Sequence, residues 1–242
     1  VIDNANNSTP ISTTATTLTA VASIGNNTYT TLQGAVNAVS SNGTKTTITM
    51  IRNTTENVTV PSGKNIVLNT NGKTISATGD TLLNYGTLEM TGTGTITSTN
   101  AWAIGNFGTF ILTSGTITAN HDKSAMGVRS GIAYINGGTI KNTSTGVALT
   151  NTDSGTVHIQ GGTIENSTSS HVTISNTATM YIKNGTIRNT GGGQTLGNIG
   201  AGVVYVQGGY IEGRGANSAT LGNRAKLYIS AGTITNIGGG YS

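Results

Sequence analysis

Cleaving a polysaccharide takes carboxylates in pairs, or a carboxylate-held cation beside a basic residue. The raw material here is eight acids, Asp3, Glu56, Asp80, Glu89, Asp122, Asp153, Glu165 and Glu212, spread over 242 residues. His121, His158 and His171 show no metal-ligand spacing, and His121-Asp122 reads as part of a solvated turn. With no Cys there is neither a disulfide nor a thiolate metal site. The glycine runs at 191–193 and 238–240 lack the Lys-Ser/Thr that a phosphate loop requires. No metal or cofactor is expected. What these residues can do depends on which of them the fold sets side by side.

The positioning device is a repeat. A short phrase recurs as Gly94-Thr95-Ile96, Gly115-Thr116-Ile117, Gly138-Thr139-Ile140, Gly162-Thr163-Ile164, Gly185-Thr186-Ile187, Gly209-Tyr210-Ile211 and Gly232-Thr233-Ile234, its Ile spaced by 21, 23, 24, 23, 24 and 23. Thr47-Ile48-Thr49 and Thr74-Ile75-Ser76 are expected to extend the same column upstream. Before each phrase lies an alternating strand, such as Phe110-Ile111-Leu112 or Met180-Tyr181-Ile182, whose outer members point inward. A third short strand precedes it, as in Leu82-Leu83, Val147-Ala148-Leu149 and Val172-Thr173-Ile174. The pattern predicts an all-β, right-handed, single-stranded parallel β-helix of about 21–24 residues per coil over 24–242. With coils about 4.8 Å apart, seven to nine of them make a rod roughly 35–45 Å long.

Composition agrees. Hydrophobic residues are 34% and charged residues only 8%, with 36 Gly, as suits a thin core wrapped by Thr, Asn, Ser and Gly. The net charge of +4 comes without a basic cluster, so nucleic acid is not an expected partner. No apolar run approaches the ~20 residues that span a bilayer, so membrane insertion is not expected.

Stacking converts linear spacing into columns. Lys141, Glu165, Arg188 and Glu212 step by 24, 23 and 24, which reads as a ladder of opposite charges. Glu165 and Glu212 would lie roughly 9–10 Å apart across two coils, but Arg188 between them argues against a catalytic acid pair. An outward column runs Glu89, Ile111, Tyr134, His158, Tyr181, Tyr205 and Tyr228, flanked by polar Asn136, Gln160, Lys183 and Gln207. Its five consecutive rings, Tyr134 to Tyr228, suit a glycan or protein partner, and they equally suit mutual stacking for stability. Asn84, Asn106, Asn151, Asn176, Asn198 and Asn223 each follow the first strand of a coil, with one coil near Ser130 skipped. Asn tolerates the left-handed backbone of a tight turn, and stacked Asn amides bond along the axis. Lys141, Glu165, Arg188 and Glu212 also interrupt the threonine array that ice binding would need.

A solenoid needs capped ends. In Tyr29–Ser40, Leu32, Ala35, Val36 and Val39 fall at helical spacing behind Thr31, a plausible N-cap, so a helix near 30–40 is expected to plug the N-terminal end. Residues 1–23 read as a tail or extended arm, in which Thr17-Leu18-Thr19-Ala20-Val21-Ala22 has the pattern of a strand that a neighbour's edge would accept. No C-terminal cap is legible.

The opening "YTTLQGAVNAV…TITMIRNTTENVTVPSGKNIVLNTNGKTIS" and the reiterated "GGTI.N" resemble the pectate-lyase-like β-helices of bacterial surface proteins. The resemblance runs from about residue 25 to the end. It implies the fold, and it implies lyases, hydrolases, adhesins or tailspikes without choosing among them. The leading expectation is a non-enzymatic extracellular structural or adhesive module that presents the aromatic face to a polysaccharide, host glycan or protein. A self-assembling filament subunit, pairing end to end with other copies, comes second. A polysaccharide lyase or glycoside hydrolase comes third.

Overall fold

The computed structural model describes residues 19–167 and 171–242. These wind into a parallel β-solenoid of about 8 turns with one short helix near the N-terminus. Each coil has three faces.

The short face is an eight-stranded parallel sheet running from Val58–Val60 to Leu221–Asn223. The second face begins with Lys45–Met50 and carries the alternating strands, among them Thr109–Leu112, Thr156–Ile159 and Thr179–Ile182. The third begins with Thr54–Thr55 and carries the repeated phrase, for example in Thr139–Asn142 and Thr163–Asn166. Late in the chain Val203–Gly213 and Lys226–Asn236 each run through the corner unbroken, joining the second and third faces into one sheet.

Registers hold coil after coil. Ile75, Ile96, Ile117, Ile140, Ile164, Ile187, Ile211 and Ile234 stack directly, and all but the last are fully buried. Ile48 is a correction: it pairs with Leu68 on the second face, and the position before Ile75 is Thr54. Thr47-Ile48-Thr49 lacks the glycine that turns the chain from the second face to the third, so its alternation belongs to the earlier strand. That glycine has φ of 93° at Gly115, 67° at Gly138, 73° at Gly162, 90° at Gly185, 79° at Gly209 and 104° at Gly232. A Cβ on Gly162 would also sit 2.5 Å from the Gly137 carbonyl oxygen of the coil below.

The core is a set of parallel columns. Leu68, Met90, Leu112, Ile135, Ile159, Ile182 and Val206 form one, and Leu82, Ile104, Met126, Leu149, Ile174 and Leu196 another. Each such side chain contributes roughly 1.5–3 kcal/mol by leaving water.

The expected plug is present as helix α1, Leu32–Ala38, which buries Leu32, Ala35 and Val36 against the first coil. Thr31 caps it, its Oγ1 accepting from Gly34 N–H at 2.9 Å. The first coil grips both ends of the helix. Glu56 accepts from Leu32 N–H at 2.8 Å and Gln33 N–H at 3.0 Å, placing an anion at the positive end. The buried Lys64 ammonium donates to the Asn37 and Val39 carbonyls at the negative end. The Gln33 amide pairs with both backbone groups of Thr59, at 2.7 and 3.1 Å, sealing the first edge of the short face.

Residues 1–18 of the expected arm lie outside the described residues. Ala22–Ile24 is not a free arm: it forms a hairpin with Asn27–Tyr29 and pairs antiparallel with Lys45–Met50, with Ala22 fully buried. The docked solenoid therefore starts just before the expected boundary at 24. In the last coil Ile229 is 56% and Ile237 57% exposed, and Leu221, Leu227 and Ile234 are only partly buried.

Candidate functional site

The second face carries the most regular surface feature. Tyr134, His158, Tyr181, Tyr205 and Tyr228 occupy one outward register position in five successive coils. They are brought together as the spacing predicts. Ring centroids are 4.9, 4.8, 4.9 and 5.0 Å apart, with planes 10°, 4°, 7° and 12° from parallel. The coil rise sets that spacing, and it falls in the range where offset aromatic pairs attract.

The geometry carries a consequence that composition did not. Every interior ring has both faces covered by its neighbours, so His158, Tyr181 and Tyr205 show edges outward rather than faces. A sugar ring stacks on an aromatic face and finds none free along the middle of this column. Phenol hydroxyls and ring edges remain available, bordered by exposed Asn136, Gln160, Lys183 and Gln207. His158 lies between Tyr134 and Tyr181 with Nδ1 buried and unpaired among the described residues. Burial, aided by the Lys183 charge, pushes its pKa below the usual imidazole value. Below the rings, Ile111 separates them from Glu89, whose carboxylate is held below its usual pKa by a 2.7 Å hydrogen bond from Lys45 Nζ.

The charge column aligns, but it is not a continuous ladder. Lys141, Glu165, Arg188 and Glu212 do sit at matching positions. Only Glu165 and Arg188 pair, with Arg188 nitrogens 2.7 and 3.0 Å from one carboxylate oxygen. Glu212 turns instead to Arg214 at 2.8 Å and also takes the Tyr210 hydroxyl at 3.2 Å. No ion pair joins Lys141 to Glu165 among the described residues. Arg214, two residues on and just past the strand end, reaches Glu212 more directly than Arg188 does across a coil. The Arg214 hydrogen bond keeps Glu212 below the ordinary carboxylate pKa, the opposite of what a general acid needs.

The asparagine column is a buried amide ladder. Asn84, Asn106, Asn151, Asn176 and Asn198 are all fully buried. Nδ2 donates to the next Oδ1 at 2.8 Å from Asn84 to Asn106, 2.7 Å from Asn151 to Asn176, 2.9 Å from Asn176 to Asn198 and 2.7 Å from Asn198 to Asn223. The skipped position near Ser130 is held by Val128. The gap leaves Asn151 Oδ1 buried without a donor among the described residues. The left-handed backbone has no part in it: among the described residues only Asn71 and Asp153 combine a side chain with positive φ. These Asn are strand ends whose amides point inward.

A second asparagine row went unassigned in the sequence, although "GGTI.N" displays it. Asn142, Asn166, Asn189 and Asn236 close the third-face strands. Each fastens loop backbone rather than the next amide, as Asn142 Nδ2 does with the Lys123 carbonyl at 2.8 Å and Asn189 Oδ1 with Gly191 N–H at 3.0 Å. Ser98 holds that place two coils before Asn142, accepting from Ala101 N–H at 3.0 Å.

Among the described residues no three His, Asp or Glu side chains gather in the arrangement of a metal site. Among the described residues no helix is long and apolar enough to cross a membrane. Fold and surface define the class: a parallel β-solenoid with one aromatic face and a short helix packed on its first coil. No protein-family model, curated protein or solved structure matches the chain.

Proposed function

We propose that the chain is a non-enzymatic structural or adhesive module of a bacterial surface protein, of the pectate-lyase-like kind, working outside the cell. It offers the face built on Tyr134, His158, Tyr181, Tyr205 and Tyr228 to a protein or glycan partner. The observation that carries this reading is the unbroken column of five near-parallel rings on a flat sheet. Five rings at a fixed 4.8–5.0 Å repeat form a rigid, amphipathic strip that loses little entropy on binding. Because edges and hydroxyls face outward, the partner is one that bonds to phenols along a line. The test is binding of the Tyr181→Ser/Tyr205→Ser variant to cells and to immobilised glycans. Binding equal to that of the parent chain removes the proposal.

A second reading, a self-assembling subunit, draws on the last coil, where Ile229 and Ile237 are more than half exposed. Sheet edges in this state pair readily with other chains. Light scattering across a hundred-fold concentration range decides it; a mass fixed at one chain throughout rules it out. A lyase or hydrolase ranks below both, since Glu165 is engaged by Arg188 and Glu212 by Arg214. New unsaturated or reducing ends from acidic polysaccharides would restore it.

A further inference from the structure

We propose that the cleft beside Trp102 binds a neutral pyranose ring. This site lies on the loops flanking the short face and is separate from the tyrosine column.

Trp102 is the only tryptophan of the chain, and its indole is held rather than loose. Its backbone N–H donates to Asp80 Oδ1 at 3.1 Å, and its carbonyl accepts from Thr81 N–H at 2.9 Å. The indole lies on two glycines of successive coils. A Cβ on Gly105 would come within 2.9 Å of indole Cε3, and one on Gly127 within 3.1 Å of Cε2. Glycine at both places makes the notch into which the ring settles. The Arg129 guanidinium adds a cation–π contact at 5.6 Å from the ring centroid. Ser98 shapes the loop leading in, its Oγ accepting from Asn100 and Ala101 N–H at 3.3 and 3.0 Å.

The ring remains only partly buried and lines a cleft of about 230 Å³ with Asp80, Asn100, Ala101 and Lys123. Here an apolar plate stands next to unspent polar groups. Asp80 uses Oδ1 on Trp102 and keeps Oδ2 without a hydrogen bond among the described residues, as is also true of the Asn100 amide. A pyranose has the matching split: an apolar C–H face for the indole, and hydroxyls for a carboxylate, an amide and an ammonium. Charge selects a neutral sugar. Lys123 is paired with Asp122 at 3.2 Å, which leaves Asp80 to repel anionic rings. The other aromatic cleft, at Tyr85, has mainly glycine, serine and threonine around it, and its Asn65 amide is engaged by the Gly43 carbonyl at 3.1 Å.

Because there is one tryptophan, indole emission of the whole chain reports this cleft directly. Methyl β-D-glucopyranoside, methyl β-D-galactopyranoside and methyl α-D-mannopyranoside are titrated up to about 100 mM, a range covering millimolar affinity, with glycerol as the acyclic control. At least one glycoside is expected to give a saturable change that glycerol does not. Asp80→Asn keeps the acceptor for Trp102 N–H, and Asn100→Ala leaves the backbone turn intact. Each is expected to weaken the response about five-fold, the equivalent of one net hydrogen bond, with the sugar-free spectrum unchanged. Three flat titrations overturn the proposal, and so does a saturable curve that the Asp80→Asn/Asn100→Ala variant reproduces. Tyr181→Ser/Tyr205→Ser should leave the response as it is, so failure of the tyrosine face and failure of this site are told apart.

Discussion

Replacing Val128 by Asn tests the amide ladder at its interior gap. The new side chain would receive Asn106 Nδ2 on one side and donate to Asn151 Oδ1 on the other, following the 2.7–2.9 Å links made elsewhere in the column. Asn84, Asn151 and Asn198 also donate to a carbonyl on the second face, at 2.9, 2.9 and 2.8 Å, and the Thr156 carbonyl is the equivalent partner here. Losing buried Val costs about 1.5–3 kcal/mol. Against this, ending the isolation of a buried acceptor returns about 1–3 kcal/mol, and each completed bond adds about 1 kcal/mol net. Val128→Asn should therefore fall within about 1 kcal/mol of the parent, or above it. Val157→Asn, equally buried but with hydrocarbon columns around it, should lose at least about 3 kcal/mol. Urea unfolding of both, combined with Asn151→Ala in a double-mutant cycle, should show a favourable coupling of about 1–3 kcal/mol between positions 128 and 151. Since solenoids open locally, amide exchange at Thr152, which donates to the Val128 carbonyl at 2.9 Å, gives a reading confined to that coil. A loss at 128 as large as at 157, with coupling near zero, would refute the account of the ladder.

Other expectations follow from the same geometry. Glu56→Gln should cost about 1–2 kcal/mol and speed amide exchange at Leu32 and Gln33, because it replaces the anion at the helix N-terminus with a neutral amide. Arg188→Met should cost no more than about 1 kcal/mol, since the pair is part-exposed, and Lys141→Met should be silent within about 0.5 kcal/mol in the same urea assay. The folded state lowers the pKa of His158, so it disfavours the proton there: that contribution is intact above the unfolded value of about 6.5 and is lost as pH falls below it. His158→Phe should keep the ring stack and flatten the stability–pH curve between pH 7 and 5, with the remaining slope owed in part to His121, whose pKa burial also lowers. Gly162→Ala should destabilise by at least about 1–3 kcal/mol in thermal unfolding, because φ is positive and the added carbon meets a backbone oxygen.

Columns were legible because a solenoid repeats one steric problem at each coil, so the same residue types recur at the same places. The Thr-Ile phrase, the tyrosine positions and the amide ladder all follow from that periodicity, and α1 from ordinary amphipathic spacing behind Thr31. What periodicity could not reveal depends on direction and reach. The assignment of Ile48 failed because Thr-Ile-Thr looks the same on either face when no glycine marks the corner. Arg188 and Arg214 both lie near Glu212, and sequence spacing does not say which side chain arrives. The grip of Glu56 and Lys64 on the two helix ends links residues 23 to 27 apart outside the repeat. The seat of Trp102 on Gly105 and Gly127 depends on an absence of side chains, which reads in sequence only as one more pair of glycines.

The plug formed by α1 gives the rod a direction. At the rim it covers, Gln33 answers both backbone groups of Thr59, and Leu32 and Val36 roof the hydrocarbon of the first coil. At the opposite rim, Ile229 and Ile237 are more than half exposed. If two copies meet through those last coils, the two-fold product carries a rim covered by α1 at each extremity. Such stacking stops at a pair by its own geometry, and a longer assembly would need a contact of another kind.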